Sequence, residues 1–306
     1  MSGSVRAVCV TRSVALRRGL RRSLHAAGAT VEFVDEAVEV DPGAALVVID
    51  RATHAGLTAG ERAALAAGRA MIVLGASLTE DATVAGLRAD GCNHVIVDDD
   101  EFDDGELVVT SSKLASGDIF GLEKYLAWGV RVSRCEVASY QDKRAALAAV
   151  TASARDAGAR RPMLARVESV VDELLMNAMY DAPAEAGQQV PYVPALPGER
   201  VAAPAELRWA SDGRYFAVSV ADRFGALAKG AIVDHLQRAR DERGRPRSPS
   251  EAAGAGLGLY FIVSSVTRFI ANIEPGVCTE VIGLFDLRQA GRDADPCARS
   301  LHVFAR

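Results

Sequence analysis

The chain lacks the features that mark several protein classes. Its five cysteines, Cys9, Cys92, Cys135, Cys278 and Cys297, are scattered and form no Cys-x-x-Cys pair. That disfavours a disulfide framework or a structural zinc site and makes a reduced cytoplasm the simplest setting. No stretch reaches the roughly 18 consecutive apolar residues that a membrane span requires. Near the start, Arg12, Arg17, Arg18, Arg21 and Arg22 interrupt any leader-like run. Basic charge is not in excess either: 35 Lys and Arg stand against 40 Asp and Glu, a net charge of −5. This argues against nucleic acid as a partner, because phosphate backbones call for a basic surface. A small anion such as a nucleotide stays compatible.

What is present is an ordinary globular balance, 49% hydrophobic and 25% charged over 306 residues, enough for two domains with buried cores. Charge divides unevenly: residues 1–117 carry 11 basic and 17 acidic side chains, the remainder 24 and 23. The acidic excess peaks at Asp98–Asp104, which reads as a solvated loop. In the first part, short apolar runs at Val5–Val10, Thr30–Phe33, Ala45–Ile49, Ala70–Leu74 and His94–Val97 alternate with helical patterns at Ala15–Ala27, Leu57–Ala67 and Ala82–Ala89. Continuously apolar strands alternating with helices predict a doubly wound parallel α/β sheet. Ser111–Gly129 reads as the interdomain connection, with 118–129 as the linker proper; Phe120, Tyr125 and Trp128 suggest that it packs.

The second part reads as strand Val130–Val137, helices Gln141–Ala157 and Pro162–Tyr180, a proline-rich loop, a hairpin of Ala205–Ala210 and Tyr215–Asp222, helix Lys229–Arg240, a glycine turn, helix Leu259–Thr267, and strands Phe269–Ile273 and Thr279–Leu284. Glu173, Asn177 and Asp181 recur every fourth residue and so share one helix face. A polar ridge on a half-buried helix is costly unless something binds it. Asn offers a neutral oxygen for a hydrated Mg²⁺, and Glu an acceptor for a hydroxyl proton. Asp222 ends a strong β run, where it can accept from an exocyclic amine, and Gly225 lets backbone approach a flat ring. Gly254, Gly256, Gly258 and Leu259 precede a helix, where backbone N–H groups meet phosphate oxygens. The hydroxyl of Thr279, at a strand start, can reach a phosphate. Each signal alone is compatible with a plain turn or a solvated face.

In this order and spacing, residues 130–286 resemble the GHKL-type (Bergerat) ATP-binding domain shared by gyrase, heat-shock chaperones, histidine kinases and MutL. Glu173-x-x-x-Asn177 matches that family's N box, Asp222–Gly225 resembles its adenine box, Gly254–Leu259 its last glycine box, and Thr279 its terminal-strand threonine. The resemblance implies an α/β sandwich with helices on one face of a mixed sheet. It also implies Mg-ATP (or ADP) held under a lid at 227–253, with Asn177 as the Mg²⁺ ligand. Phe224 departs from the pattern, which has glycine there. The chain has no room for the large transducing domains of gyrase, chaperones or MutL. None of His25, His54, His94, His235 and His302 lies on a helix between 111 and 172, which disfavours an orthodox histidine kinase. The order strand, long helix, N-box helix looks more like the anti-sigma-factor serine kinases, which implies Glu173 as the base acting on a serine of a protein partner.

Residues 5–110 resemble a response-regulator receiver domain, with Asp50 at the phosphoacceptor place after the third strand. The acidic pair is replaced by Thr11 and Arg12, the Thr/Ser by Gly75 and the Lys by Asp98. This reads as a pseudo-receiver in which Arg12 is expected to pair with Asp50. The expected organisation is a receiver-like domain at 1–117, the linker, an ATP-binding domain at 130–290 and a C-terminal tail at 291–306. Three functions stay open: a protein kinase or ATPase, a nucleotide-dependent switch without turnover, and a histidine-kinase-like protein acting on a separate partner. A homodimer is compatible with each.

Overall fold

The computed structural model describes residues 5–75, 78, 83, 84, 86, 87, 92–97, 104–187, 200–241, 258–289 and 300–306. The protein is α/β and divides into two compact units, Met1–Ile119 with Arg299–Phe304, and Phe120–Ala298 with Ala305–Arg306. Among the described residues no helix is long and apolar enough to cross a membrane.

The first unit is built on β1 (Arg6–Val10), β2 (Thr30–Val34), β3 (Leu46–Asp50), β4 (Ala70–Leu74) and β5 (His94–Ile96). They run parallel in the order β2-β1-β3-β4-β5. Helix α1 (Val14–Ala26), the short α2 (Arg51–Gly56), α3 (Ala59–Ala66) and α4 (Asp104–Ser116) accompany them. The apolar runs form strands because both faces are covered: Ala7, Val8, Cys9 and Val10 are wholly buried. Burial pushes the Cys9 thiol up to about 12, which removes it from thiolate chemistry. Helix α4 takes in Ser111–Ser116, so the connection between units begins later than the sequence suggested. The helix expected at Ala82–Ala89 and the acidic run 98–103 lie largely or wholly outside the described residues.

Strand order reverses between β1 and β3, and a cavity of about 670 Å³ opens at their C-terminal ends, lined by Arg12, Ser13, Asp50, Thr53 and Gly75 among others. The expected Arg12–Asp50 pair is not formed. Arg12 bonds Glu36 at 3.0 Å instead. Asp50 is the N-cap of α2: Oδ1 accepts from the Thr53 backbone N–H at 2.8 Å and Oδ2 from the Thr53 hydroxyl at 3.1 Å. A carboxylate at an N-cap already has its donors, so no cation is needed to hold it. Asp50→Ala is expected to cost about 1 kcal/mol, the usual value of such a cap, read as a small fall in denaturation midpoint. Incubation with a small phosphodonor is expected to give no stoichiometric phospho-Asp50.

The segment expected as a tail contains a strand, β11 (Ser300–Ala305), antiparallel to β5. Its run Leu301–Phe304 is almost completely buried, and the gain from burying it outweighs the preference of a terminus for solvent. His302 Nε2 lies 2.9 Å from Glu106 Oε1 on α4, and Lys113 Nζ stands 3.9 Å from the centre of the Phe304 ring.

The second unit carries β6 (Ser133–Ser139), β7 (Arg200–Ser211), β8 (Tyr215–Asp222), β9 (Arg268–Glu274) and β10 (Cys278–Asp286). They pair in the order β6-β7-β8-β10-β9, antiparallel at each of these four steps. Hairpins account for two of those steps directly, at Asp212–Gly213 and at Pro275–Gly276. The helices are α5 (Tyr140–Asp156) and α6 (Arg161–Met176), a π-helical turn Asn177–Asp181, α7 (Ala182–Glu185), α8 (Lys229–Asp241) and α9 (Gly258–Ser265). Helix α6 packs between α5 and α9 and against β8 and β10.

The linker lies along the second unit. Leu122 and Tyr125 are buried, Arg208 on β7 holds Glu123 at 3.0 Å, and the Gly121 N–H donates to Glu280 Oε2 at 2.8 Å. Trp128, expected to pack, is fully exposed.

Candidate functional site

Helix α6 starts with Pro162 in its first turn, where the missing N–H costs nothing, and buries Val167, Val170, Val171, Leu174 and Leu175. Its polar ridge points the other way. The helix continues past the Tyr180 expected as its end, through the π-helical turn into α7. Pro183 supplies the reason. Its ring lacks an N–H and clashes with the carbonyl four residues back, so an α-helix cannot run through residue 179 undisturbed. One wider turn absorbs the misfit.

The ridge faces the β8 and β10 strands of the sheet across a cavity of about 450 Å³. Glu173, Asn177, Asp181 and Glu185 line it from the helix, Val220 and Asp222 from β8, Thr279 and Val281 from β10, Gly258 and Leu259 from α9, Leu227 from the segment before α8, and Ala231 from α8 itself. Strand register explains the sheet side: Asp222 lies opposite Thr279 and Val220 opposite Val281, so all four share one face. Glu280, between Thr279 and Val281, faces the other way and accepts from Asn272 Nδ2 at 2.9 Å as well as from the linker.

Of the residues singled out from sequence, Glu173, Asn177, Asp181, Asp222, Gly258, Leu259 and Thr279 all line this cavity. Gly254 and Gly256 lie outside the described residues, as do 242–253 of the expected lid. Gly225 is not a lining residue. At φ +60°, a Cβ on it would come 2.1 Å from the Glu274 carbonyl oxygen, so its bare backbone serves the turn between β9 and β10 rather than a ring. Sequence reading missed Glu185. Its signal was the next four-residue step after 173, 177 and 181, hidden by ending the helix at Tyr180.

Four carboxylates therefore line one cavity, and partial desolvation there raises each above its ordinary value, although Asp181 and Glu185 are themselves exposed. For Glu173 the neighbouring Asp172 and Asp181 add to the effect of burial, while Lys143 opposes it. Lys143 reaches over from α5 to hold Asp172 at 2.6 Å. Desolvation alone raises Asp181; Glu185 is raised by desolvation, then by the charges of Asp181 and Asp222. Asp222 is raised by burial, and the backbone N–H groups of Phe224 at 2.8 Å and Gly225 at 3.1 Å, both on Oδ1, pull against it. The Thr279 hydroxyl, buried beside Asp222, helps to hold that charge. Gly258 opens α9 directly against Glu173: a Cβ there would come 2.4 Å from Glu173 Oε2. Among the described residues, no three His, Cys, Asp or Glu side chains are grouped to hold a metal ion by themselves.

A scan against protein-family models finds no match, and no curated protein matches this chain. Among solved structures, a chain of "The crystal structure of SiaB-SiaC complex from Pseudomonas aeruginosa" is similar with a TM-score of 0.33 and 16% identity, over 50% of this chain and 88% of that chain.

Proposed function

We propose that the second unit is a GHKL-type domain that binds Mg-ATP in this cavity, and that the protein uses it to phosphorylate or switch a protein partner, with the first unit as a pseudo-receiver that regulates it. The reading rests on one observation: seven residues picked from four separate segments of the sequence line the same cavity of about 450 Å³. That volume lies in the range of small-molecule sites, about 300–1,000 Å³.

The residues fit the ligand. Thr279 sets a buried hydroxyl beside Asp222 in the wall, and Gly258 brings backbone close to Glu173 where a side chain would clash. Asn177 would give Mg²⁺ one neutral oxygen. Among the described residues no three-residue ligand cluster is present, so the remaining ligands would be phosphates and water, the usual arrangement for this ion. Asp222, whose Oδ1 already accepts from two backbone N–H groups of the turn, would accept from the base amine. Glu173 would accept the proton of the attacking hydroxyl or water. Bound Mg-ATP supplies the phosphoryl group and its charge neutralisation, which leaves mainly positioning to the protein.

Titration calorimetry of the full chain with ATP and ADP, with and without Mg²⁺, tests the reading. Saturable binding of Mg-ATP is expected, and Asn177→Ala should weaken it at least tenfold while leaving the Mg²⁺-free titration little changed. A folded wild-type chain that binds neither nucleotide would remove the reading. The second reading is a switch without turnover. It is favoured by Asp50, whose two oxygens are committed to Thr53, so that the first unit acts through contacts rather than through a phosphate.

A further inference from the structure

We propose that β6 is a dimerisation edge: two copies of this chain pair their β6 strands antiparallel about Cys135, so that Arg134 of each copy meets Glu136 of the other. The inference goes beyond the ATP reading and does not depend on it.

Strand β6 is the outermost strand of the second unit. It pairs with β7 on one side and, among the described residues, with no strand on the other. An open edge presents a row of unmet N–H and C=O groups, which proteins usually blunt with proline, lysine, a bulge or a very short strand. The seven residues Ser133–Ser139 contain neither proline nor lysine, and their register with β7 is unbroken from Ser133 to Val137.

The charges on this strand are mismatched within the chain. In the ladder Arg134 lies opposite Arg208 and Glu136 opposite Glu206, like against like, which destabilises a sheet. Arg208 has its own partners, Glu123 at 3.0 Å and Glu206 at 3.9 Å. Arg134 and Glu136 are exposed, and among the described residues neither forms an ion pair. They share one face of the strand, one on each side of Cys135. A two-fold axis through Cys135 therefore sets the arginine of each copy against the glutamate of the other, twice over. A strand bearing one sign of charge would repel its copy, whereas this one is complementary to itself.

The aromatic side chains are a second observation. Among the described residues, the two aromatics that are exposed bracket β6: Trp128, fully exposed, before it, and Tyr140, 46% exposed, directly after it. Trp128 is presented on a fixed turn. The Val130 N–H donates to the Ala127 carbonyl at 3.3 Å, Gly129 takes φ +86°, and the Ala127 N–H donates to Asp212 at 3.2 Å. Antiparallel pairing carries the Trp128 end of one strand toward the Tyr140 end of the other. Shielding both supplies the apolar burial that exposed ion pairs, worth little by themselves, do not.

Sedimentation velocity of the full chain over a concentration series tests this for wild type, Arg134→Glu, Glu136→Arg, an equimolar mixture of those two variants, and Trp128→Ser. Wild type should show a concentration-dependent dimer. Each charge variant alone sets like charges together at two places and should raise the dimer dissociation constant at least about tenfold. Mixing the two restores opposite charges at both places, and association should return to near the wild-type level. Loss of the Trp128 anchor should weaken the dimer at least about tenfold. Neither charge variant should unfold, because each turns a like pair in the chain's own ladder into an opposite one, and circular dichroism checks this. A wild-type chain that stays monomeric up to about 100 μM overturns the proposal. So does a dimer that these variants leave unchanged, or a mixture that associates no better than its components.

Discussion

Glu173→Gln is expected to lower phosphoryl transfer or ATP hydrolysis by roughly 10²–10⁴-fold while Mg-ATP binding stays within a few-fold of wild type. The amide keeps the size of the side chain and its place against Gly258 but cannot accept a proton. Because the substitution removes a charge without enlarging the residue, the close approach of α9 survives it. The pH profile adds a second readout. A base works deprotonated, and burial, with Asp172 and Asp181 beside it, raises the Glu173 carboxyl above its ordinary value. The acid limb of the rate should therefore lie above the usual carboxylate range, with activity rising as pH rises through it, and the limb should vanish in the variant. Unchanged turnover in Glu173→Gln would take the base role from this residue. Binding without turnover in wild type would leave the switch.

Gly225→Ala should destabilise the second unit severely and for a reason unrelated to ligand. The residue sits at φ +60°, and a Cβ would meet the Glu274 oxygen at 2.1 Å, the Gly276 nitrogen at 2.7 Å and the Val277 nitrogen at 2.8 Å. The left-handed backbone alone costs a side chain about 1–2 kcal/mol. The neighbours are backbone atoms of a tight turn, which cannot step aside as a flexible side chain would. A loss of roughly 3–5 kcal/mol, the range of severe core changes, is expected. At about 2–4 °C per kcal/mol for a domain of this size, thermal unfolding followed by circular dichroism should show it plainly. A variant that melts like wild type would return Gly225 to the ligand.

Much of this molecule was legible in its residues, and the exceptions have physical causes. Tyr215–Asp222 and Ala70–Leu74 were placed to the residue because continuous apolar runs bounded by turns leave little freedom. The polar ridge was found by its period, since a helix must put every fourth residue on one side. The same reasoning stopped too soon at Pro183, because proline ordinarily ends a helix and a π-helical turn leaves no mark in composition. Strand β7 begins at Arg200, five residues before the Ala205 expected, because Pro204 reads as a break. It is tolerated there since the pairing with β6 is irregular between Val137 and Ser139. Arg12 and Asp50 looked like an ion pair because they are neighbours in topology. The nearer donor, three residues along the chain at Thr53, was a matter of local cap geometry.

Strand β11 has a practical bearing on any attempt to dissect the protein. The polypeptide leaves its first unit after Ile119 and comes back to it only at its far end. A fragment stopped at residue 117 would bare the β5 edge and strip His94, Glu106 and Lys113 of the segment that shields them from water. Such a piece would be prone to stick to its neighbours, and its failure would say nothing about the folding of the intact protein. A sound minimal version has to splice the last seven residues back on, or receive them as a peptide.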